Sequence, residues 1–334
     1  MNRRTFAKTL IAVSVLGSTM LGTVGNALAA PPTINFGGST WISNYPVWIA
    51  IERGIFKSLG IDVKWNAFGT GSARMSALLS GSIDVSSNSS ISTISLIAAG
   101  SKDFQLIGST DSFATLEGVF GKKPITTIGA LKGKKIGVTY ASSGHILILD
   151  LLKQYKLDPN KDVQLINMPV SDIASSLKSG QVDAGVAWTP VFEALRADPA
   201  NQLIATDENF TLYKQFHVGT GPNVLMVTNS FAKANPDAVK AFVKGCGMAV
   251  QMLKQNPKEA AQVVAPLTKL PVDVQESVIK ATDWHTLDEQ KKIMTGDQSF
   301  QKGLNQLAAF MREVKMVPNV PDIGALFNTS YLSQ

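Results

Sequence analysis

The alternation of short apolar runs with helix-like segments constrains the fold of this chain more than any other feature. The runs that the pattern predicts as strands lie at residues 33–37, 61–65, 83–85, 104–109, 135–139, 163–167, 182–187 and 223–228. Connections with helical periodicity, about 10–15 residues long, suit the crossover between parallel strands. After the last strand, long amphipathic helices are predicted at residues 236–254, 272–282 and 300–314. The pattern therefore predicts an α/β fold with mainly parallel sheets flanked by helices.

The first 29 residues have the organisation of an export signal. Arg3, Arg4 and Lys8 form a basic start, an apolar segment follows, and Ala27-Leu28-Ala29 is typical of a cleavage site. The two arginines also resemble a twin-arginine signal, so the twin-arginine and general secretory routes both stay open. We expect cleavage after this segment and a periplasmic mature chain. Because no cysteine stands near the cleavage site, a lipid anchor is not expected.

Length and charge narrow the class of protein further. The 305 residues after the leader could form two domains, each with its own core. Three basic residues lie in the leader, so the formal net charge of +6 falls to +3, which argues against a nucleic-acid partner. No apolar run after the leader is long enough to span a membrane. Cys246 is the only cysteine and the three histidines are far apart, so neither a disulfide nor a local metal site is predicted.

Three stretches rich in serine and glycine stand where a predicted strand gives way to a helix. They are Gly69-Thr70-Gly71-Ser72, Asn88-Ser89-Ser90 and Ser142-Ser143-Gly144-His145. A helix N-terminus presents unpaired backbone N–H groups and a partial positive charge, and small side chains let an anion approach it. Serine hydroxyls add donors without adding charge. The stretches predict capture of a small anion rather than its chemical conversion.

The order of the predicted elements also indicates two domains joined by two connections. We expect the chain to cross between them near residues 118–123 and 215–222. Domain I would comprise residues 30–122 plus 222–334, and domain II residues 123–221, after the signal peptide at 1–29. Two connections beside a cleft make a hinge, and ligands in such sheets bind at the carboxyl ends of strands. The three stretches would then face one cleft.

A series of short motifs, in a fixed order over nearly the whole mature chain, carries a resemblance to a known family. The motifs are Gly54-Ile55-Phe56, Gly60-Ile61-Asp62-Val63, residues 77–84, residues 131–138, Ser142-Ser143-Gly144-His145, residues 179–184 and Trp188-Thr189-Pro190. The chain resembles periplasmic solute-binding proteins of ABC importers, in the group for nitrate, sulfonates and thiamine precursors, and is most similar to its taurine-binding members. The resemblance implies a type II-like two-domain binding protein that is a monomer and delivers its ligand to an inner-membrane permease and its ATPase.

The resemblance also implies which residues contact the ligand. The anionic group would be held by Ser89, Ser90, Ser142, Ser143 and His145, with Gly144 in the same turn. Trp188 and Tyr45 would enclose the ligand. From the residues themselves, Trp41, Asn44 and Tyr45 are candidates because they lie in a polar loop after the first strand. Trp188 is a candidate because it ends a predicted strand.

The identity of the ligand depends on Asn223. The implied ligand is a small organosulfonate, taurine or another alkanesulfonate, whose three oxygens suit several neutral donors. Taurine-binding members of the family have an aspartate at the position of Asn223, which would pair with the ammonium group. Asparagine carries no charge, although Asp111 or an aromatic face could replace the aspartate. This departure favours an alkanesulfonate without an amine.

Two kinds of alternative stay open from the sequence. The ligand could be another small anion or an aromatic molecule, such as nitrate, an aromatic carboxylate or a pyrimidine precursor. The chain could also be an enzyme like the thiamine-pyrimidine synthases that resemble this fold, but those rely on a cysteine cluster. Neither a complete dinucleotide-binding motif nor a nucleophile elbow is present. The residues therefore predict a binding protein without a cofactor and not an enzyme.

Overall fold

The computed structural model describes residues 30–112 and 115–333, so the predicted signal peptide at residues 1–29 lies outside the described residues. The strands are β1 (Thr33–Gly38), β2 (Asp62–Ala67), β3 (Val85–Ser89), β4 (Phe104–Gly108), β5 (Asp111–Ser112), β6 (Glu117–Lys122), β7 (Lys135–Val138), β8 (Gln164–Asn167), β9 (Ala184–Trp188), β10 (Asn201–Thr206), β11 (Asn223–Thr228) and β12 (Asp283–Trp284). The α-helices are α1 (Tyr45–Glu52), α2 (Ile55–Ser58), α3 (Gly71–Leu79), α4 (Ser90–Ala98), α5 (Ser143–Gln154), α6 (Val170–Ser179), α7 (Val191–Ala197), α8 (Thr211–Phe216), α9 (Asn229–Ala234), α10 (Pro236–Gln255), α11 (Pro257–Thr268), α12 (Val272–Lys280), α13 (Leu287–Lys291) and α14 (Ser299–Glu313).

The first sheet has the strand order β2-β1-β3-β11-β4. β1 runs parallel to β2 and β3, whereas β11 runs antiparallel to β3 and β4. Helix α10 packs beside this sheet, and the rings of Phe56 and Phe242 stack with centroids 5.3 Å apart. Gly245 makes this packing possible, because a Cβ there would lie 2.5 Å from the Phe56 ring. The adjacent Cys246, on the same helix, is buried in the hydrophobic core.

The second sheet has the order β10-β6-β9-β7-β8. β7 is parallel to β8 and β9, whereas β6 is antiparallel to β9 and β10. Helix α5 buries residues 146–149 in the core, and Phe120 meets Phe192 edge to face at 5.2 Å on the other side. Glycines at 137 and 185 leave room for the side chain of Ile173 on α6.

The predicted α/β class with helix-flanked sheets is confirmed, but the sheets are mixed rather than mainly parallel. In each sheet two of the four strand pairs are antiparallel. The antiparallel partners are β6 and β11, which enter their sheets directly from the segments that join the two sheets. Because neither strand is joined by a helical crossover to a preceding strand of its own sheet, they are not constrained to run parallel. Both sheets lie in one compact unit that begins at Pro31.

The chain passes between the two sheets before β6 and again between β10 and β11. Strand β6 lies on the N-terminal side of the predicted domain boundary at residue 122, yet it pairs in the second sheet. The division of the chain into two domains stays a prediction. Within the described ranges, no helix has both the length and the apolar character needed to cross a bilayer.

Candidate anion-binding site

A cavity of about 390 Å³ lies where helices α3, α4 and α5 begin. Its lining residues are Trp41, Gly71, Arg74, Ser89, Ile91, Ser92, Ala141, Ser142, Ser143, Trp188, Gly221 and Asn223. The cavity brings together six residues that the sequence analysis selected: Trp41, Ser89, Ser142, Ser143, Trp188 and Asn223. Elements of both sheets contribute, because Ser89 ends β3 of the first sheet and Trp188 ends β9 of the second. The cavity also contains Gly71, from the first predicted serine and glycine stretch.

Helix α4 begins at the cavity with two serines that have different environments. Ser89 is the N-cap residue, and its hydroxyl accepts a hydrogen bond from the backbone N–H of Ile91 at 3.3 Å. The same hydroxyl lies 3.4 Å from the carbonyl oxygen of Gly221, to which it can donate. Ser90 is buried, and its hydroxyl has no hydrogen-bond partner among the described residues. Ser90 is not part of the cavity lining, in contrast to the prediction.

Helix α5 presents its N-terminus from the second sheet. The Ser142 hydroxyl accepts a hydrogen bond from the backbone N–H of His145 at 3.3 Å and donates one to the carbonyl of Thr139 at 2.6 Å. Because one hydroxyl has a single hydrogen to donate, Ser142 is committed to capping the helix. Ser143 donates to Oε1 of Glu117 at 2.8 Å.

Gly221 lies between the N-terminus of α4 and the N-terminus of α5. A Cβ at Gly221 would lie 3.1 Å from Ser89 Oγ, 3.1 Å from Ile91 Cδ1 and 3.3 Å from Ser143 Cβ. The absence of a side chain at this position therefore leaves the space between α4 and α5 open. The cavity depends on this close approach of the segment before β11.

Arg74, on helix α3, supplies a cation at the cavity and was not among the predicted ligand contacts. Its side chain is buried, and its Nε donates to Oδ1 of Asn88 at 3.0 Å. Burial lowers the pKa of the guanidinium to about 10, so it stays charged at neutral pH. No carboxylate among the described residues lies within salt-bridge distance of it. An uncompensated buried cation at a cavity is a favourable partner for an anion.

A second cavity of about 310 Å³ adjoins the first, since both are bordered by Trp41 and Trp188. Its lining residues are Ser39, Thr40, Trp41, Ile42, Tyr45, Gly69, Leu116, Trp188, Thr189, Pro190, Thr268, Leu270 and Val278. Tyr45 therefore lies in this second cavity rather than beside the serines. Most of the lining is apolar or neutral, and no acidic residue borders either cavity in the described part of the chain.

Besides Ser90 and Tyr45, three further predicted contacts lie away from the first cavity. Asn44 is buried and uses its Nδ2 to donate to the hydroxyl of Ser39 and the carbonyl of Trp41, each at 3.3 Å. A Cβ at Gly144 would lie 3.0 Å from Val186 Cγ1, so this glycine serves close packing of α5. His145 is the third, and it borders another groove instead.

The ring of His145 faces the other side of α5. It stacks on Tyr140 with centroids 4.5 Å apart, and its Nδ1 accepts from the backbone N–H of Ala141 at 3.3 Å. It borders a different surface groove of about 790 Å³. Residues two apart on a helix point in nearly opposite directions, so Ser143 and His145 cannot face the same cavity. Burial also lowers the pKa of His145, which favours the neutral ring.

Asn223 lines the cavity, whereas Asp111 does not. Asn223 is paired with Ser89 across β11 and β3, and its Nδ2 donates to the hydroxyl of Ser87 at 3.1 Å. Asp111 is fully buried and accepts a hydrogen bond from Ser43 at 2.7 Å, and burial raises its pKa to about 6. Asp111 is therefore not placed to replace the missing aspartate.

Glu117 is a further polar residue behind the cavity that sequence reasoning did not identify. It starts β6 and is buried, and it accepts hydrogen bonds from Ser143 and from Thr220 at 2.8 Å each. Burial raises the pKa of this carboxyl to about 7. No local motif marks Glu117, because its partners are 26 and 103 residues away.

Comparison with known proteins agrees with the resemblance predicted from the sequence. The taurine-binding periplasmic protein of Escherichia coli is 26% identical over 286 residues, which cover 83% of this chain and 86% of the relative. The periplasmic aliphatic sulphonate binding protein SsuA from Escherichia coli superposes with a TM-score of 0.74 at 21% identity, over 91% of this chain and all of that one. The alkanesulfonate-binding protein SsuA from Xanthomonas axonopodis, bound to MOPS, gives a TM-score of 0.71 at 20% identity, over 90% and 100%.

The same fold also occurs in a desulfurization enzyme, DSZB, with a TM-score of 0.69 at 15% identity over 90% of this chain and 97% of that one. The fold alone therefore does not separate binding from catalysis. The model of the family described as NMT1/THI5 like matches residues 41–260, about two thirds of the chain. This chain therefore belongs to the NMT1/THI5-like family.

Proposed function

We propose that this protein is the substrate-binding component of an ABC importer and that it captures a small organosulfonate in the cavity between its two sheets. The observation that carries the proposal is the buried guanidinium of Arg74, which has no described carboxylate partner and borders the same cavity as Ser89 and Ser143. A sulfonate is ionised at all relevant pH values and offers three oxygens to such a set of donors. The taurine- and sulfonate-binding relatives support this chemistry.

Within the organosulfonates, an amine-free alkanesulfonate fits the cavities better than taurine. A carboxylate is the charged partner for an ammonium group, and no acidic side chain lines either cavity in the described residues, so taurine would have only the aromatic faces of Trp41 and Trp188 for its amine. Asn223 offers an amide whose Nδ2 already donates to Ser87. The second cavity, bordered by Leu116, Leu270 and Val278, suits an uncharged tail.

The cellular role follows from the same proposal. The ligand would be bound in the periplasm by a monomer and delivered to an inner-membrane permease and its ATPase. Two chain crossings between the sheets would act as a hinge that closes around the ligand. A micromolar dissociation constant corresponds to about 8 kcal/mol, which is enough to favour the closed form.

An aromatic anion is a second candidate, and the position of the two tryptophans favours it. Trp41 and Trp188 border both cavities, so a ring between them could stack on an indole. An aromatic carboxylate or sulfonate would then place its anionic group near Arg74.

Calorimetric titration of the mature protein, refolded to remove co-purified ligand, tests these proposals. The panel is ethanesulfonate, butanesulfonate, taurine, benzenesulfonate, benzoate and nitrate. We expect ethanesulfonate and butanesulfonate to bind at micromolar concentration and taurine to bind more weakly. Tighter binding of taurine would contradict the amine-free preference. Binding of benzoate alone, or of nitrate alone, would overturn the sulfonate proposal, and turnover of any sulfonate would overturn the assignment as a binding protein.

A further inference from the structure

The carboxyl of Glu117 connects the candidate site to both segments that join the sheets. Glu117 is the first residue of β6, immediately after the chain enters the second sheet. Its Oε1 accepts from Ser143, which lines the cavity, and its Oε2 accepts from Thr220, which lies in the segment returning to the first sheet. All three side chains are shielded from solvent to a large extent, and Glu117 and Thr220 are completely buried. Glu117 itself does not line the cavity.

The direction of the Ser143 hydroxyl depends on the protonation of Glu117. A carboxylate can only accept, so it takes the single hydroxyl hydrogen of Ser143 and leaves oxygen lone pairs toward the cavity. A protonated carboxyl has one O–H donor of its own. When that O–H donates to Ser143, the Ser143 hydroxyl is free to donate to an anion. A second effect also weakens anion binding while Glu117 is ionised, because a buried negative charge behind the cavity repels an anion inside it.

We propose that Glu117 is a positioning residue that links anion capture to the uptake of one proton. The proton comes from solvent and resides on the Glu117 carboxyl while the anion is bound. It is released again when the anion leaves, and no covalent bond changes. This inference rests on the proposed anion site, and it adds a pH dependence that a sulfonate, itself ionised at every relevant pH, would not produce.

The surroundings of Glu117 place its titration near neutral pH. Burial raises its pKa to about 7, against the opposing effect of the hydrogen bonds from Thr220 and Ser143. Asp207, in the turn that follows β10, is also buried, and burial together with the charge of Glu117 raises its pKa well above the usual value. Asp207 therefore stays protonated to higher pH than an ordinary aspartate.

Other charged groups on the elements packed against β6 have partners of their own. Strands β9 and β10 carry no ionisable side chain. The groups on α5 and α7 are His145, which stacks on Tyr140; Asp150, which accepts from Gln154 and from the backbone of Thr211; Lys153, which pairs with Glu313; and Glu193, which pairs with Arg196. Across the cavity, Arg74 is the cation that an anion would approach.

Two measurements test the proposal, and both use the variant Glu117→Gln. Glutamine has nearly the size of glutamate and keeps one hydrogen-bond acceptor and a donor, but it cannot titrate. The first is carbon NMR of the ligand-free protein labelled at glutamate carboxyls. We expect one carboxyl that titrates near pH 7 and is missing from the variant. If every glutamate titrates below pH 5, the proposal is wrong whatever the ligand is.

The second measurement is titration with ethanesulfonate at pH 6 and pH 8, in two buffers of different protonation enthalpy. A group with a pKa of about 7 that must be protonated makes binding about tenfold tighter at pH 6 than at pH 8. Close to one proton is then taken up at pH 8, and little at pH 6, where the free protein already holds most of it. Glu117→Gln should bind equally at both pH values and without proton uptake, whereas Asp207→Asn should keep the dependence. Binding without proton uptake in the wild type at pH 8, or a pH dependence that survives in Glu117→Gln, overturns this inference alone. Absence of binding to the whole sulfonate panel overturns the proposed function and the proton link with it.

Discussion

At the scale of single residues, Arg74 should dominate the affinity for the anion. Replacing it by glutamine removes the charge but keeps an amide that can reach Asn88. Because a hydrogen bond to a charged group contributes about 1.5–3 kcal/mol, we expect Arg74→Gln to weaken sulfonate binding roughly 10- to 100-fold. Calorimetric titration measures this change, and a circular dichroism melt verifies that the variant is folded.

The matched control for this change is Arg53→Gln. Arg53 is partly exposed and pairs with Glu259 at 2.7 Å, away from both cavities. Surface pairs of this kind contribute little, so affinity and stability should both stay close to wild type. Equal affinities for Arg74→Gln and wild type would remove the guanidinium from the site.

The sequence predicted site residues whose role follows from local position, and it missed those whose role depends on distant contacts. Ser89 and Ser143 were predicted because each stands where a strand gives way to a helix, and both line the first cavity. Arg74 was passed over because its burial at the cavity depends on packing that the local pattern does not contain. Glu117 was missed because its partners are far along the chain. His145 was predicted beside these serines but borders another groove, because the direction of its side chain from α5 depends on the helical phase, which a run of small residues does not fix.

At the scale of elements, the segment that returns to the first sheet should control the opening between α4 and α5. A methyl group at Gly221 would press on Ile91, Ser89 and the Cβ of Ser143 at once. We expect Gly221→Ala to weaken sulfonate binding at least tenfold, with a smaller effect on the melting temperature. Titration together with a thermal melt separates the two effects.

A glycine in ordinary surroundings provides the control. At Gly129 an added Cβ would have its nearest neighbour, Cδ1 of Tyr155, at 3.8 Å, which is normal van der Waals contact. Gly129→Ala should therefore leave binding unchanged. If Gly221→Ala binds as tightly as Gly129→Ala, the gap at Gly221 is not part of the site.

Elements with a clear apolar pattern were predicted well, and those that depend on tertiary pairing were not. Strand β11 has the predicted bounds, because residues 223–228 form one apolar run closed by threonine. β6 was missed, since Glu117 and two glycines interrupt its pattern and its pairing with β9 and β10 supplies the stability. Helices α1 and α2 are separate because Gly54, which lies between them, adopts a left-handed conformation with φ of 67°.

At the scale of the whole molecule, stability should fall as pH rises from about 4 to about 7. Burial raises the pKa of Asp111 to about 6 and that of Glu117 to about 7, so the folded protein retains protons that the unfolded chain has released. More protons bound to the folded state means that the free energy of unfolding decreases with pH, by up to about 1.4 kcal/mol per pH unit for each group. Urea denaturation between pH 4.5 and pH 8 measures the slope.

Substitution identifies which carboxyl causes the slope. Glu117→Gln should lower the slope of the curve over the whole interval from about pH 4.5 to pH 7, and the slope that remains below about pH 6 should include the contribution of Asp111. The exposed Glu259→Gln, on α11, serves as the control and should leave the whole curve unchanged. A wild-type stability that is constant over this range would show that neither buried carboxyl retains its proton.

The burial of Cys246 in α10 makes this chain well suited to site-specific labelling. It is the only cysteine in the sequence, it is shielded from solvent, and burial raises the pKa of its thiol, so it should react slowly with maleimides. Ser92 is exposed at the rim of the first cavity, and Ser92→Cys would place a single reactive thiol there. An environment-sensitive fluorophore at that thiol would turn the protein into an optical sensor for its ligand. The buried Cys246 would not have to be removed first.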